Sequence, residues 1–158
     1  MIKLKHIFVF LVLTSTSCFS QATFTNLDTL FTKNFDAVNK RDSVYYLSLV
    51  NQSVLFIDKN IRSKADSLVI LKPFTDAFRD LIDELSDMTS STDFTVKYLS
   101  YEFRNKNITS ASKGKLPLLV NLVVNDNFVV KMPIVIYTNN GQYSIESPMT
   151  VMFAESKE

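Results

Sequence analysis

Hydrophobic residues in the C-terminal third of the chain recur with a period of two. Leu116, Leu118, Val120, Leu122 and Val124 alternate with Pro117, Leu119, Asn121 and Val123, then Phe128, Val130, Met132, Ile134 and Ile136 repeat the pattern. Successive strand residues face opposite sides, so each run predicts a strand with one strongly apolar face. Asn140-Gly141 has the composition of a type I′ turn and predicts a hairpin into a third run of Tyr143, Ile145, Met149, Val151 and Phe153. A two-residue loop there sets Ile136 opposite Ile145, Met132 opposite Met149 and Val130 opposite Val151. For the preceding hairpin a two-residue loop at Asp126-Asn127 would put Leu122 opposite Lys131. A three-residue loop, Asn125-Asp126-Asn127, instead puts Val124 opposite Phe128 and Leu118 opposite Ile134, and is expected with Asn127 left-handed.

Upstream the period changes to three and four. Leu27, Phe31, Phe35 and Val38 predict a helix over 25–40 that Asn26 or Asp28 can cap, and Asp42 can cap a short second helix containing Val44, Tyr45, Leu47 and Val50. Residues 53–58 alternate as a short strand. Ser63 to Asp66 is spaced as a capping box for two helical turns, after which Pro73 suits the first turn of a new helix. That helix, Pro73 to Met88, buries Phe74, Ala77, Phe78, Leu81, Leu85 and Met88. Its other face carries Asp76, Arg79, Asp80, Asp83, Glu84 and Asp87, which reads as a solvated surface and, as the sharper alternative, a site for a cation or basic partner. Between 92 and 104 the phase slips: Phe94, Val96 and Tyr98 hold one face, Leu99, Tyr101 and Phe103 the other, which predicts a β-bulge near Tyr98-Leu99. Residues 105–115 read as a polar loop. One domain is expected, with neither repeat nor linker.

Residues 1–20 carry Lys3 and Lys5, an apolar run from Ile7 to Leu13 and then small polar residues, the layout of a signal peptide cleaved between Ser20 and Gln21. The run is far shorter than the roughly 20 residues of a transmembrane helix. Ser15-Thr16-Ser17-Cys18 offers a weaker alternative, lipid attachment at Cys18 on the bacterial envelope. Export to the periplasm or beyond is the expectation in either case. Cleavage would alter the available chemistry, because His6 is the only histidine and Cys18 the only cysteine. A chain starting at Gln21 cannot assemble a Ser-His-Asp or Cys-His nucleophile, a disulfide, or a zinc or copper site with imidazole or thiolate ligands. No cofactor or metal is therefore expected. The 16 acidic residues outnumber by one the basic residues left without Lys3 and Lys5, and these are scattered, so no nucleic-acid stripe forms. Only Gly114 and Gly141 are glycines, which excludes phosphate loops built on several. The sequons at Asn51 and Asn107 are read as chance.

The stretch Phe31-Thr-Lys-Asn-Phe35-Asp-Ala-Val38-Asn-Lys-Arg-Asp42-Ser-Val-Tyr-Tyr-Leu47, the helix at Pro73 and the hairpin Ile136-Tyr-Thr-Asn-Asn-Gly141-Gln-Tyr-Ser-Ile145 resemble the nuclear transport factor 2-like, or SnoaL-like, superfamily. The resemblance covers nearly the whole chain after residue 20, but in loose hydrophobic patterns. It implies an α+β fold, a cone-shaped bent antiparallel sheet with about three N-terminal helices on its concave face, and a pocket between the two. Members include isomerases, dehydratases, epoxide hydrolases and non-catalytic binding modules, so the fold does not choose among them. Histidine-dependent chemistry is ruled out for a chain starting at Gln21. Glu102 is the weak candidate for a catalytic carboxylate, read first as a solvent-facing residue. Tyr46, Phe78, Tyr98 and Met132, with Ser147 as the one polar inward residue of the last strands, are the candidates for holding a small apolar ligand. They read first as ordinary core. Leu119, Val123, Val129, Pro133, Val135 and Tyr137 make the opposite sheet face too apolar for water alone, and predict a homodimer. The expectation is a non-catalytic binding or interaction module. The alternatives are a tyrosine- and carboxylate-dependent isomerase or hydrolase and an envelope-associated accessory lipoprotein.

Overall fold

A computed structural model describes residues 22–51, 64–105, 113–150 and 153–156, except the side chains of 64–67 and 153–156. The signal peptide, Cys18, Ser20 and Gln21, the strand over 53–58, Asn107 and Val151 lie outside the described residues. Among the described residues the fold is α+β: three helices, then an antiparallel sheet.

Helix α1 spans Leu27–Lys40, and Asn26 caps it by accepting hydrogen bonds from the backbone N–H of Asp28 and Thr29. It stops at Arg41, whose left-handed backbone (φ 53°) returns its N–H to the carbonyls of Ala37 and Val38. Helix α2, Ser43–Leu49, starts at once because the Asp42 carboxylate accepts from Tyr45 N–H at 2.8 Å. Helix α3 is one continuous element of 26 residues, Lys64–Thr89, with Pro73 inside it. The expected break there does not occur. Proline removes one N–H and so leaves the Val69 carbonyl without its helical partner. Val69 is 72% exposed, so the orphaned carbonyl belongs to a solvated turn.

The sheet consists of β1 (Val96–Phe103), β2 (Lys113–Val124), β3 (Phe128–Asn139) and β4 (Gln142–Ile145) in that order, with β5 (Phe153–Ser156) pairing with β3 beside β4. Val124 pairs with Phe128 and Leu118 with Ile134, as the three-residue loop requires. The left-handed residues of that loop are Asn125 and Asp126 (φ 50° and 60°), not Asn127. Two adjacent positive-φ residues are therefore provided by an Asn-Asp pair, residue types that enter that region more readily than most, and their side chains reach towards β1, Asn125 Oδ1 accepting the Thr95 N–H at 2.8 Å and Asp126 meeting Lys97. Asn140 and Gly141, at φ 50° and 76°, close the second hairpin and set Ile136 opposite Ile145.

Beyond Ile145 the expected pairing fails. Glu146 N–H and Ser147 N–H both reach the carbonyl of Val135, a bulge that ends the ladder. Pairing resumes at Phe153 in a register shifted by this interruption, so Val130 lies opposite Ala154 rather than Val151, and Met149 is unpaired. The bulge in β1 falls where the phase slip puts it: Tyr98 pairs with Leu122 and Ser100 with Asn121. Leu99 is the extra residue and is 50% exposed, so it leaves the apolar set that Tyr101 and Phe103 rejoin.

One face of the sheet joins the helices in a single core. Leu118, Val120, Leu122, Val130, Met132 and Ile136 are fully buried with Leu30, Phe31 and Phe35 of α1, Tyr46 and Leu49 of α2, and Phe74, Phe78, Leu81 and Leu85 of α3. None of the helices among the described residues is long and apolar enough to cross a membrane.

Candidate functional site

The candidate ligand residues on the helix-covered face are spent on packing. Tyr46 stacks on Phe78 with ring centroids 4.9 Å apart, and both are buried, as is Met132. The Tyr46 hydroxyl lies beside the Met149 backbone without forming a well-aligned hydrogen bond, and burial pushes the phenol far up, so it holds its proton. Met149 also accepts a contact from Asn34 Nδ2 at 3.0 Å through its sulfur, while Asn34 Oδ1 is buried without a partner. Ser147 is committed to the broken ladder: its hydroxyl accepts the Val135 N–H at 2.9 Å. An open hollow of about 260 Å³ lies where Leu81 and Glu84 of α3 meet Met149 and Thr150, and desolvation raises the Glu84 pKa from its ordinary carboxylate range.

Glu102 is exposed, opposite Leu119 on the face away from the helices. Its carboxylate accepts a 3.3 Å hydrogen bond from Asn121 Nδ2, which also donates to Ser100 Oγ at 3.0 Å. The weak catalytic candidate therefore stands on the outer surface, away from any sheltered tyrosine. The same face carries Leu119, Pro133, Val129, Val135 and Tyr137, all half-buried, and Val123, which is buried. Asn121 lies among them with its Oδ1 shielded from water and without a partner.

Two features escaped the sequence. Glu146 is buried, with a side chain only 6% exposed, and Lys115 reaches it at 3.0 Å from a largely solvated position. Its burial follows from the bulge at Val135, which the regular alternation hides. Second, Asp28, in the first turn of α1, accepts a short hydrogen bond from the Tyr98 hydroxyl. Tyr98 and Tyr101 flank the Phe31 ring at 5.5 and 5.8 Å, and Tyr101 meets Phe103 edge-on at 5.8 Å. Desolvation and the Asp28 charge both raise the Tyr98 and Tyr101 phenols, by disfavouring a second negative charge beside the carboxylate. The set gives one exposed carboxylate and two neutral phenol donors. It is a hydrogen-bonding arrangement of a carboxylate with phenols that keep their protons. The described residues hold no cluster of three metal-ligating side chains.

Comparison with protein-family models, with curated proteins and with solved structures finds no match to the chain. The functional reading therefore rests on the residues themselves.

Proposed function

We propose that this chain is a non-catalytic interaction module of the nuclear transport factor 2-like kind, exported after loss of its first twenty residues, and that it acts as a homodimer through the outer face of its sheet. The observation that carries the reading is the half-buried apolar set Leu119, Val129, Pro133, Val135 and Tyr137 around Asn121, whose side-chain oxygen is shielded yet unpartnered. A shielded amide oxygen without a hydrogen bond costs about 1–3 kcal/mol. The face carries Glu102 and Lys131, with Lys97 and Lys115 towards its ends. Asn121 sits on the central strand β2 between Ser100 on β1 and Lys131 on β3, with Glu102 two residues along β1. A two-fold axis running along β2 between two such sheets lays β1 of one copy over β3 of the other, Lys131 over Ser100 and Glu102 over Pro133, so that each Glu102 stands two residues along the strand from the other copy's Lys131.

The order of helices before an antiparallel sheet supports the family resemblance, and a cone with helices on its concave side accommodates the single core. An enzyme reading has little to build on: Glu102 is on the outside, and the Asp28–Tyr98 pair is open to water with a phenol that keeps its proton. Light scattering on the chain from Gln21 onward, beside its Leu119→Glu and Val135→Glu variants, tests the proposal. A dimer that both substitutions dissociate, with far-UV circular dichroism unchanged, is the expected result. A monomer at 100 μM, or a dimer indifferent to both charges, overturns it.

A further inference from the structure

The fold takes hold of the chain at Ala22, the first described residue. Ala22 N–H donates to the Ser48 carbonyl at 2.8 Å, in the last turn of α2, where helical carbonyls lack partners of their own. Two residues on, Phe24 exchanges both backbone hydrogen bonds with Tyr143, at 3.2 and 2.7 Å, on the side of β4 that β3 leaves open. Ala22 and Phe24 pack half-buried against the core, with Thr23 exposed between them. Further along the same edge, Asn51 N–H reaches the Ile145 carbonyl at 2.7 Å. The stretch from Ala22 to Phe24 therefore ties off a helix end and covers a sheet edge that otherwise shows unpaired backbone.

The residue before Ala22 is glutamine. On the reading that the first twenty residues are removed, on which this inference rests, Gln21 carries the free α-amine of the finished chain. An N-terminal glutamine holds a nucleophile and an electrophile within one residue. An α-amine ordinarily titrates at about 8, so a share of it is uncharged near neutral pH. Its attack on the side-chain amide carbon of the same residue is intramolecular and closes an unstrained five-membered ring.

We propose that Gln21 is a modification site, cyclised to pyroglutamate. The α-nitrogen bonds to the side-chain amide carbon, the bond from that carbon to the amide nitrogen breaks, and the nitrogen leaves as ammonia with the hydrogen that the amine gives up. No oxidant, reductant or co-reactant is consumed. The peptide bond from Gln21 to Ala22 is untouched, so the hydrogen bond from Ala22 N–H to Ser48 survives the change. What the lactam removes is the charged terminal amine, the group by which aminopeptidases grip a chain end. The residues guarded in this way are those that close α2 and cover β4.

The test expresses the full chain in a bacterium that exports it and holds the recovered protein at neutral pH in phosphate, with its intact mass followed beside that of a Gln21→Ala variant. The expected result is the mass of residues 21–158 less one ammonia and an N-terminus blocked to stepwise degradation. Pyroglutamyl peptidase should then release a readable start of Ala22-Thr23-Phe24. A broad aminopeptidase should leave the cyclised chain intact and trim the variant through Phe24, lowering its thermal midpoint by about 2–8 °C. A chain that begins at Gln21 and keeps its ammonia overturns the inference alone. A chain that begins elsewhere overturns it together with the loss of the first twenty residues. Equal trimming of the two proteins, or of neither, overturns the protective role.

Discussion

The two faces of β2 and β3 both carry apolar runs, the outer one interrupted by Lys115, Asn121 and Lys131, and stand in opposite circumstances. Leu118, Val120, Leu122, Val130 and Met132 are sealed against three helices, while Leu119, Val129, Pro133 and Val135, one residue out of step, are only half-covered. Hydrophobicity alone does not separate the two sets. What separates them is what the helices reach: α1, α2 and α3 contribute their buried residues to one core, and that core contains only one of the two sheet faces. A sheet with one covered face ordinarily turns a polar face to water. The apolar surplus outside is the reason for reading this chain as something that associates.

Truncations on the two faces should separate them most sharply. Leu118→Ala and Met132→Ala are expected to lower unfolding free energy by about 2–5 kcal/mol in urea titrations, because each opens a cavity in a sealed core. Leu119→Ala, made in a variant already kept monomeric by Val135→Glu, should cost less than about 1 kcal/mol; equal losses on the two faces would erase the contrast. A smaller effect is expected where α1 meets the sheet edge. Asn39→Ala removes both hydrogen bonds to Val96 and should cost about 1–2 kcal/mol by the same titration.

Tyr46→Phe should run the other way. Deleting a buried hydroxyl that lacks a well-formed hydrogen bond should stabilise the chain by up to about 1 kcal/mol, and a loss of that size would mean that the hydroxyl is well bonded. The smallest effect is one of pH. The Tyr98 phenol is raised above its unfolded value of about 10, so its contribution is fully present below that pH and is lost as pH climbs towards the folded value. Thermal melts should be flat from pH 7 to 9 and decline above pH 10, with a shallower decline in Tyr98→Phe.

The sequence carried much of this fold. Alternation located the inner set of β2 and β3, Asn140-Gly141 fixed one hairpin, the side-chain pairing fixed the other, and the phase slip at Tyr98-Leu99 located the β1 bulge. What it hid were departures from periodicity made by single backbone groups. Nothing in the residues around Ser147 announces that two N–H groups share the Val135 carbonyl, so alternation alone extends the third strand in register through Met149 and gives no sign that Glu146 is buried. Pro73 suggested a helix start because its ring disfavours the interior, but an exposed turn tolerates the lost bond. The Asp28–Tyr98 contact joins residues 70 positions apart and has no local signature; the spacing of α1 identified Asp28 only as a capping candidate.

The measurement that bears most directly on the contrast between the faces is the mass of the chain from Gln21 onward in solution, by light scattering from 1 to 100 μM. The account predicts about twice the monomer mass, falling to the monomer when Leu119 is replaced by glutamate. A monomer throughout that range would mean that the outer face of the sheet is content in water, and would contradict the account.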